Sequence, residues 1–167
     1  MVAIVAERTE DQIEWSKKGI AIAEARETGN WLGPLWNNLA GIYYEIKQFD
    51  SALECYKNAR DFHWRFSDER AKLVADYHIG MTLRHLERHG EAASWLRPVL
   101  SWAERLDDHD MIGQACEDLG EAYIGVGKKA EGIELLKRAR EQYKIVGYDK
   151  SAPDIWDGIT KRLEGLK

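Results

Sequence analysis

Three stretches of the chain and two lone cysteines carry residue types that could do chemistry. His85-Leu86-Glu87-Arg88-His89 sets two histidines one helical turn apart, a spacing that can hold a metal ion. It is not H-E-x-x-H, because Glu87 is in the wrong place, and no nearby cysteine or third histidine completes a set. His89 suits a helix C-terminus, where the dipole favours a cation. Gly125-Val126-Gly127-Lys128-Lys129 invites a phosphate-loop reading, but G-x4-G-K-[ST] is missing and no strand precedes it, so it reads as a turn between helices. Asp107-Asp108-His109-Asp110 looks metal-like and is better explained by helix N-capping. Cys55 and Cys116 form no C-x-x-C and read as inert packing. There is no G-x-S-x-G nucleophile elbow and no E-x-x-H of a di-iron bundle. The expectation is a non-enzyme, with no cofactor, no metal and no catalytic residue.

Composition narrows the classes further. The 167 residues hold 24 Lys+Arg against 29 Asp+Glu, a formal charge of −5, which suits a nucleic-acid backbone poorly. Two distant cysteines fit a reduced compartment. The apolar start Met1–Ala6 stops at Glu7-Arg8 and has no basic n-region, so it is not a signal peptide. No run approaches the ~20 apolar residues of a membrane span. A cytoplasmic protein with no nucleic-acid or membrane partner is expected.

What must position any site is a repeat of 40. Leu39, Ile79, Leu119 and Ile159 align, as do Ala40, Gly80 and Gly120, and Tyr43, Leu83, Tyr123 and Leu163. Ala52, Ala92 and Gly132 form a small column, and Tyr56, Leu96 and Leu136 a large one. Trp36, Leu39, Ala40 and Tyr43 recur at three and four, one helical stripe, and Ala52, Tyr56 and Ala59 make a second. Each unit therefore reads as two helices. Small residues where they face each other let the axes approach closely.

Trp36-x2-Leu39-Ala40-x2-Tyr43, then Ala52-x3-Tyr56-x2-Ala59, resembles the tetratricopeptide repeat family. In the second copy Asp76 stands in the Trp column, a departure. Another departure is systematic: Trp64, Glu104 and Lys144 stand where the 34-residue repeat closes with proline. A second helix about six residues longer would account for the longer period. This long form is similar to the repeats of Rap-type and MalT-type regulators, Pins-type adaptors and kinesin light chains. The resemblance implies an all-α, right-handed superhelix of antiparallel helix pairs. About eight helices are expected in a single solenoid domain, 1–167. The repeats fall at about 31–70, 71–110 and 111–150, flanked by half-repeat helices at 9–28 and 152–166. Ser151 is expected to cap the last helix ahead of Pro153, and Pro98 to kink the helix that holds it on a solvent-facing column. Residues 1–6 are expected to form a stub of a partner for the first helix.

The resemblance also implies that the first helix of each pair lines a concave groove that binds peptides or partner proteins. About 100° round from the packing stripe lie Asn37, Tyr77, Glu117 and Asp157, then Met81 and Glu121, then Tyr44 and Arg84. Amides can bind a peptide backbone, and aromatics can hold an apolar anchor. Glu117 and Glu121 are one turn apart, and like charges at that spacing cost a few tenths of a kcal/mol. A basic ligand segment would relieve that cost. Binding of a protein or peptide segment, a basic one by this argument, is the leading reading. A homo-oligomeric scaffold and a stand-alone sensor module are the alternatives. Ile13, Trp15, Ile20 and Ile22 spread apolar surface round the first helix, so a weak homodimer through it is expected.

Overall fold

The computed structural model describes residues 2–26, 29–65 and 69–166. Its helices are α1 (Val2–Ala25), α2 (Gly29–Glu45), α3 (Phe49–Arg65), α4 (Glu69–His85), α5 (His89–Arg105), α6 (His109–Gly125), α7 (Lys129–Ile145), α8 (Tyr148–Ser151) and α9 (Pro153–Gly165). Among the described residues there is no strand. No described helix is long and apolar enough to cross a membrane. By contacts the chain divides into two compact units, Met1–Thr82 and Leu83–Lys167.

The period of 40 resolves into two periods of 20. Each helix from α2 to α7 is 17 residues long, so the second helix of a pair is no longer than the first. Between helices one residue takes the left-handed conformation: Lys47 (φ 60°), Glu87 (58°), Asp107 (54°), Gly127 (85°) and Gly147 (82°). The corresponding turn at 66–68 lies outside the described residues. At four of these turns the backbone closes with the same two bonds. The Gln48, Arg88, Asp108 and Lys128 N–H groups donate to the carbonyls of Tyr43, Leu83, Ala103 and Tyr123, five residues back. The left-handed residue donates three back, as Gly127 does to Ile124 at 3.0 Å. This is the Schellman closure, which uses up carbonyls that would otherwise be orphaned at the helix end.

The packing columns are where the repeat puts them. Leu39, Ile79, Leu119 and Ile159 are buried, as are Tyr56, Leu96, Leu136 and the small set Ala59, Val99, Ala139. In the second unit α6 and α7 touch at the small column. A Cβ on Gly132 would lie 2.5 Å from the Gly120 carbonyl oxygen, and one on Gly120 would lie 2.9 Å from the Gly132 oxygen. Trp36 of the packing stripe is only half-buried, as is Trp156, which stands three repeats further on. Asp76, the odd member of the Trp column, is buried and ion-paired with Arg60 of α3.

Several local expectations are corrected. Among the described residues the single turn α8 stands beside the helices that the repeat predicts. Residues 2–6 continue α1 itself and form no separate stub. α2 starts at Gly29 and absorbs Pro34. α9 is capped at Ala152, with Pro153 in its first turn, whereas the Ser151 hydroxyl donates to the Gly147 carbonyl at 3.0 Å and closes α8. Pro98 lies inside α5 and is exposed, as its polar column implies.

Two substitutions test this geometry. Gly132→Ala drives a methyl into the facing backbone and should destabilise by about 1–3 kcal/mol, the usual range for overpacking. Glu87→Gly removes a side chain from a left-handed position and should stabilise by up to about 1 kcal/mol. Urea denaturation of each variant reads both.

Candidate functional site

The eight residues expected to line a groove fall four in each unit. In the unit ending at Thr82, Asn37, Tyr44 and Met81 are half-buried, whereas Tyr77 is buried. Tyr44 packs edge-on against Phe49 with ring centroids 5.4 Å apart, and Tyr77 lies 5.5 Å from the His78 ring. In the unit from Leu83 onward, Arg84, Glu117 and Glu121 come together, and Asp157 stands exposed on α9.

That second group is a wired cluster. Arg84, in the last turn of α4, donates from Nε to Asp118 Oδ1 at 2.6 Å and from Nη1 to Glu121 Oε2. Arg162 of α9 donates from Nη1 to Glu117 Oε1 at 2.8 Å and also pairs with Glu121 Oε1. Glu121 is thus held between two guanidiniums. The Tyr143 hydroxyl of α7 donates to Glu117 Oε2 at 2.8 Å. Three carboxylates and two guanidiniums leave one surplus negative charge. The like-charge cost on α6 is therefore relieved from within the chain.

Each partner has a local cause. Gly113, one turn before Glu117, leaves room for the Tyr143 ring, since a Cβ there would lie 2.6 Å from it. Burial and then the Glu117 charge push the Tyr143 phenol far up, so it stays a donor. Burial is also the largest influence on Glu117 and raises its carboxyl above the usual range, against the Tyr143 bond and Arg162. Tyr148 stacks on Tyr143 at 5.3 Å and donates to Asp110 Oδ1 at 2.7 Å.

Arg162 and Tyr143 escape the column reading. Arg162 aligns with Thr82 and Ala122, both buried, so it breaks an inward column, and that break is the signal that could have found it. Asp118 flanks the groove columns and is buried. Tyr143 had only Gly113 as a clue, an unforced glycine inside a helix.

The other chemical stretches resolve into structure. His85 ends α4 and His89 begins α5, so the two histidines do not share a helix, and His89 is at an N-terminus, not a C-terminus. Burial and then Arg84 lower the His85 pKa. Its Nε2 lies 2.9 Å from Arg84 Nη2, and since an arginine can only donate, Nε2 accepts there. The His89 ring fills the space at Gly125, where a Cβ would come within 2.3 Å, and Gly127 supplies the left-handed turn, which accounts for both glycines of the phosphate-loop-like run. Asp108 caps α6, accepting from the Met111 N–H at 3.1 Å. Among the described residues no three His, Cys, Asp or Glu side chains are placed to hold a metal. Burial pushes both thiols, Cys55 and Cys116, up to about 11, out of the nucleophilic range at neutral pH.

Two family models, each described as tetratricopeptide repeat, match residues 33–59 and 71–145, together more than half of the chain. Among solved structures the chain is similar to nearly identical TPR-like repeats named as kinesin light chain from Podosopora anserina, at 17% identity and a TM-score of 0.67, covering 85% of this chain and 70% of that one. It is similar to BtubC (BKLC) from P. vanneervenii at 16% identity and a TM-score of 0.71, over 99% and 72%. It is also similar to a Rap protein complexed with competence and sporulation factor, at 18% and 0.67, over 99% of this chain and 51% of that one. At these identities the likeness is one of fold. No curated protein sequence matches significantly.

The raised Glu117 carboxyl gives a pH test. A folded pKa above the unfolded one means that ionisation disfavours folding. That cost is absent below the ordinary carboxylate pKa of about 4 and grows until the pH has passed the raised folded pKa. Relative to Glu117→Gln, the wild type should lose stability as pH rises from about 4 to 7, measured by urea midpoints at each pH.

Proposed function

We propose, starting from the fact that the chain belongs to the tetratricopeptide repeat family, that it is a non-catalytic module binding a peptide or protein segment on the first helices of its pairs. The observation that carries this reading is the cluster of Arg84, Glu117, Asp118, Glu121 and Arg162: the first four half-buried or buried, Arg162 exposed, all fixed by one another and with one negative charge in surplus. A fixed polar surface binds with little ordering cost. No nucleophile and base meet in it. The Rap protein of similar fold is complexed with competence and sporulation factor, which supports a protein or peptide ligand here.

In this reading, each unit taken by itself, Asn37, Tyr44, Tyr77 and Met81 of the first suit amide and apolar ligand groups, and Arg84, Glu117, Glu121 and Asp157 of the second suit charged ones. A basic ligand residue shares Glu117 and Glu121 with Arg162, which already sits on them as a lysine or arginine of a partner would. Arg162 uses one nitrogen for both contacts and is 42% exposed, so it can give way.

Peptides selected from a random display library against the full chain supply the probe. Asn37→Ala with Asp157→Lys should weaken the selected peptides at least about tenfold, the loss of one good contact or more. The melting temperature should hold, because neither side chain is buried. Arg162→Gln should tighten the basic peptides. Peptides that bind both variants with wild-type affinity contradict the assignment of this face.

A further inference from the structure

α1 presents two stripes. Ile13, Ser16, Ile20 and Ala23 are half-buried or buried. They recur at three and four, the spacing of one helix face. On another face Asp11, Trp15, Lys18, Ile22 and Arg26 recur in steps of four, three, four and four, and all five are exposed. Trp15 is 70% exposed and Ile22 55%. The Arg26 N–H still donates to the Ile22 carbonyl, so the stripe stays helical to its last member. Of the apolar residues expected to cover this helix widely, Ile13 and Ile20 turn inward and only Trp15 and Ile22 remain outside.

The exposed stripe is complementary to itself when reversed. Laid antiparallel about a two-fold axis between Lys18 and Gly19, Asp11 meets Arg26, Trp15 meets Ile22, and each pairing occurs twice. An isologous contact requires this reciprocity. Lys18, nearest the axis, does not oppose it, because its ammonium is ion-paired with Glu14 of its own helix and lies 5.0 Å over its own Trp15 ring. Within the stripe Asp11 stands at one end and Arg26 at the other, so the reversed pairing sets opposite signs together at both ends and the parallel pairing sets like signs together.

We infer that this stripe of α1 is a homodimer interface whose occupant is α1 of a second copy, antiparallel, with Trp15 seated on the partner's Ile22 and Asp11 paired with the partner's Arg26. The apolar contact is two side chains per copy, so the dimer is weak and concentration-dependent. It is separate from the ligand-binding reading above, since none of its residues belongs to that face.

Sedimentation equilibrium of the full chain over a concentration series into the high micromolar range is the test. The wild type should move from monomer towards dimer, and Ile22→Ser should hold it at monomer. Asp11→Arg sets arginine against arginine twice and should weaken association at least about tenfold, and adding Arg26→Asp should restore it to within about threefold. Because all these side chains are exposed, circular dichroism melts of the dilute variants should coincide with wild type. A wild type that stays monomeric at every concentration leaves the stripe to a different occupant and overturns the inference. So does a dimer that Ile22→Ser does not disturb, or a charge reversal that the second reversal fails to rescue, since either places the contact elsewhere.

Discussion

The three-residue turn with one left-handed residue is the constraint on which the rest depends. It closes both kinds of connection alike, within a pair at Lys47, Glu87 and Gly127 and between pairs at Asp107, whereas at Gly147 the left-handed residue leads straight into α8. Because it consumes a fixed number of carbonyls, it sets where each helix stops and so where the next begins. A helix then starts every 20 residues from Gly29 to Lys129, and residues 40 apart occupy equivalent places. The buried columns follow from that register. Three of the five left-handed positions are not glycine, at a cost of roughly 1–2 kcal/mol each, so the closure is imposed by the packed helices on either side rather than by local preference.

Close approach between helices creates the polar cluster as well as the core. Gly113 lets the Tyr143 ring lie against α6, and the hydroxyl then reaches Glu117. Burial makes an unpaired carboxylate costly, which is why Glu117, Asp118 and Glu121 each have a donor assigned from another helix. The first unit solves a similar problem with one pair, Arg60 and the buried Asp76. In both units an acid on a first helix is answered by an arginine of a different helix. The face proposed to bind a ligand is therefore held in place before any ligand arrives.

The repeat was legible because its signal is redundant: each column is written three or four times, and one exception such as Asp76 does not hide it. Asp108 as a cap and Gly127 as a turn were legible for a local reason, since capping and left-handed φ depend on a few neighbouring residues. What sequence could not supply is which side chains from distant helices meet. Glu117 and Glu121 read as an unrelieved pair because Arg84 and Arg162 are 37 and 41 positions from Glu121, and nothing local joins them. Ser151 failed as a cap because α8, a single turn, consumed it first. The two histidines of the 85–89 run failed as a pair because the closure at Glu87 separates them into two helices.

The acidic pair on α6 is answered inside the chain, with Glu121 shared between Arg84 and Arg162. A double-mutant cycle between Glu121→Gln and Arg162→Gln, read by urea denaturation at low salt, measures that sharing. Arg162 is partly exposed, so a favourable coupling of about 0.5–1 kcal/mol that shrinks as salt is added is expected. Strictly additive losses, unchanged between low and high salt, would contradict it.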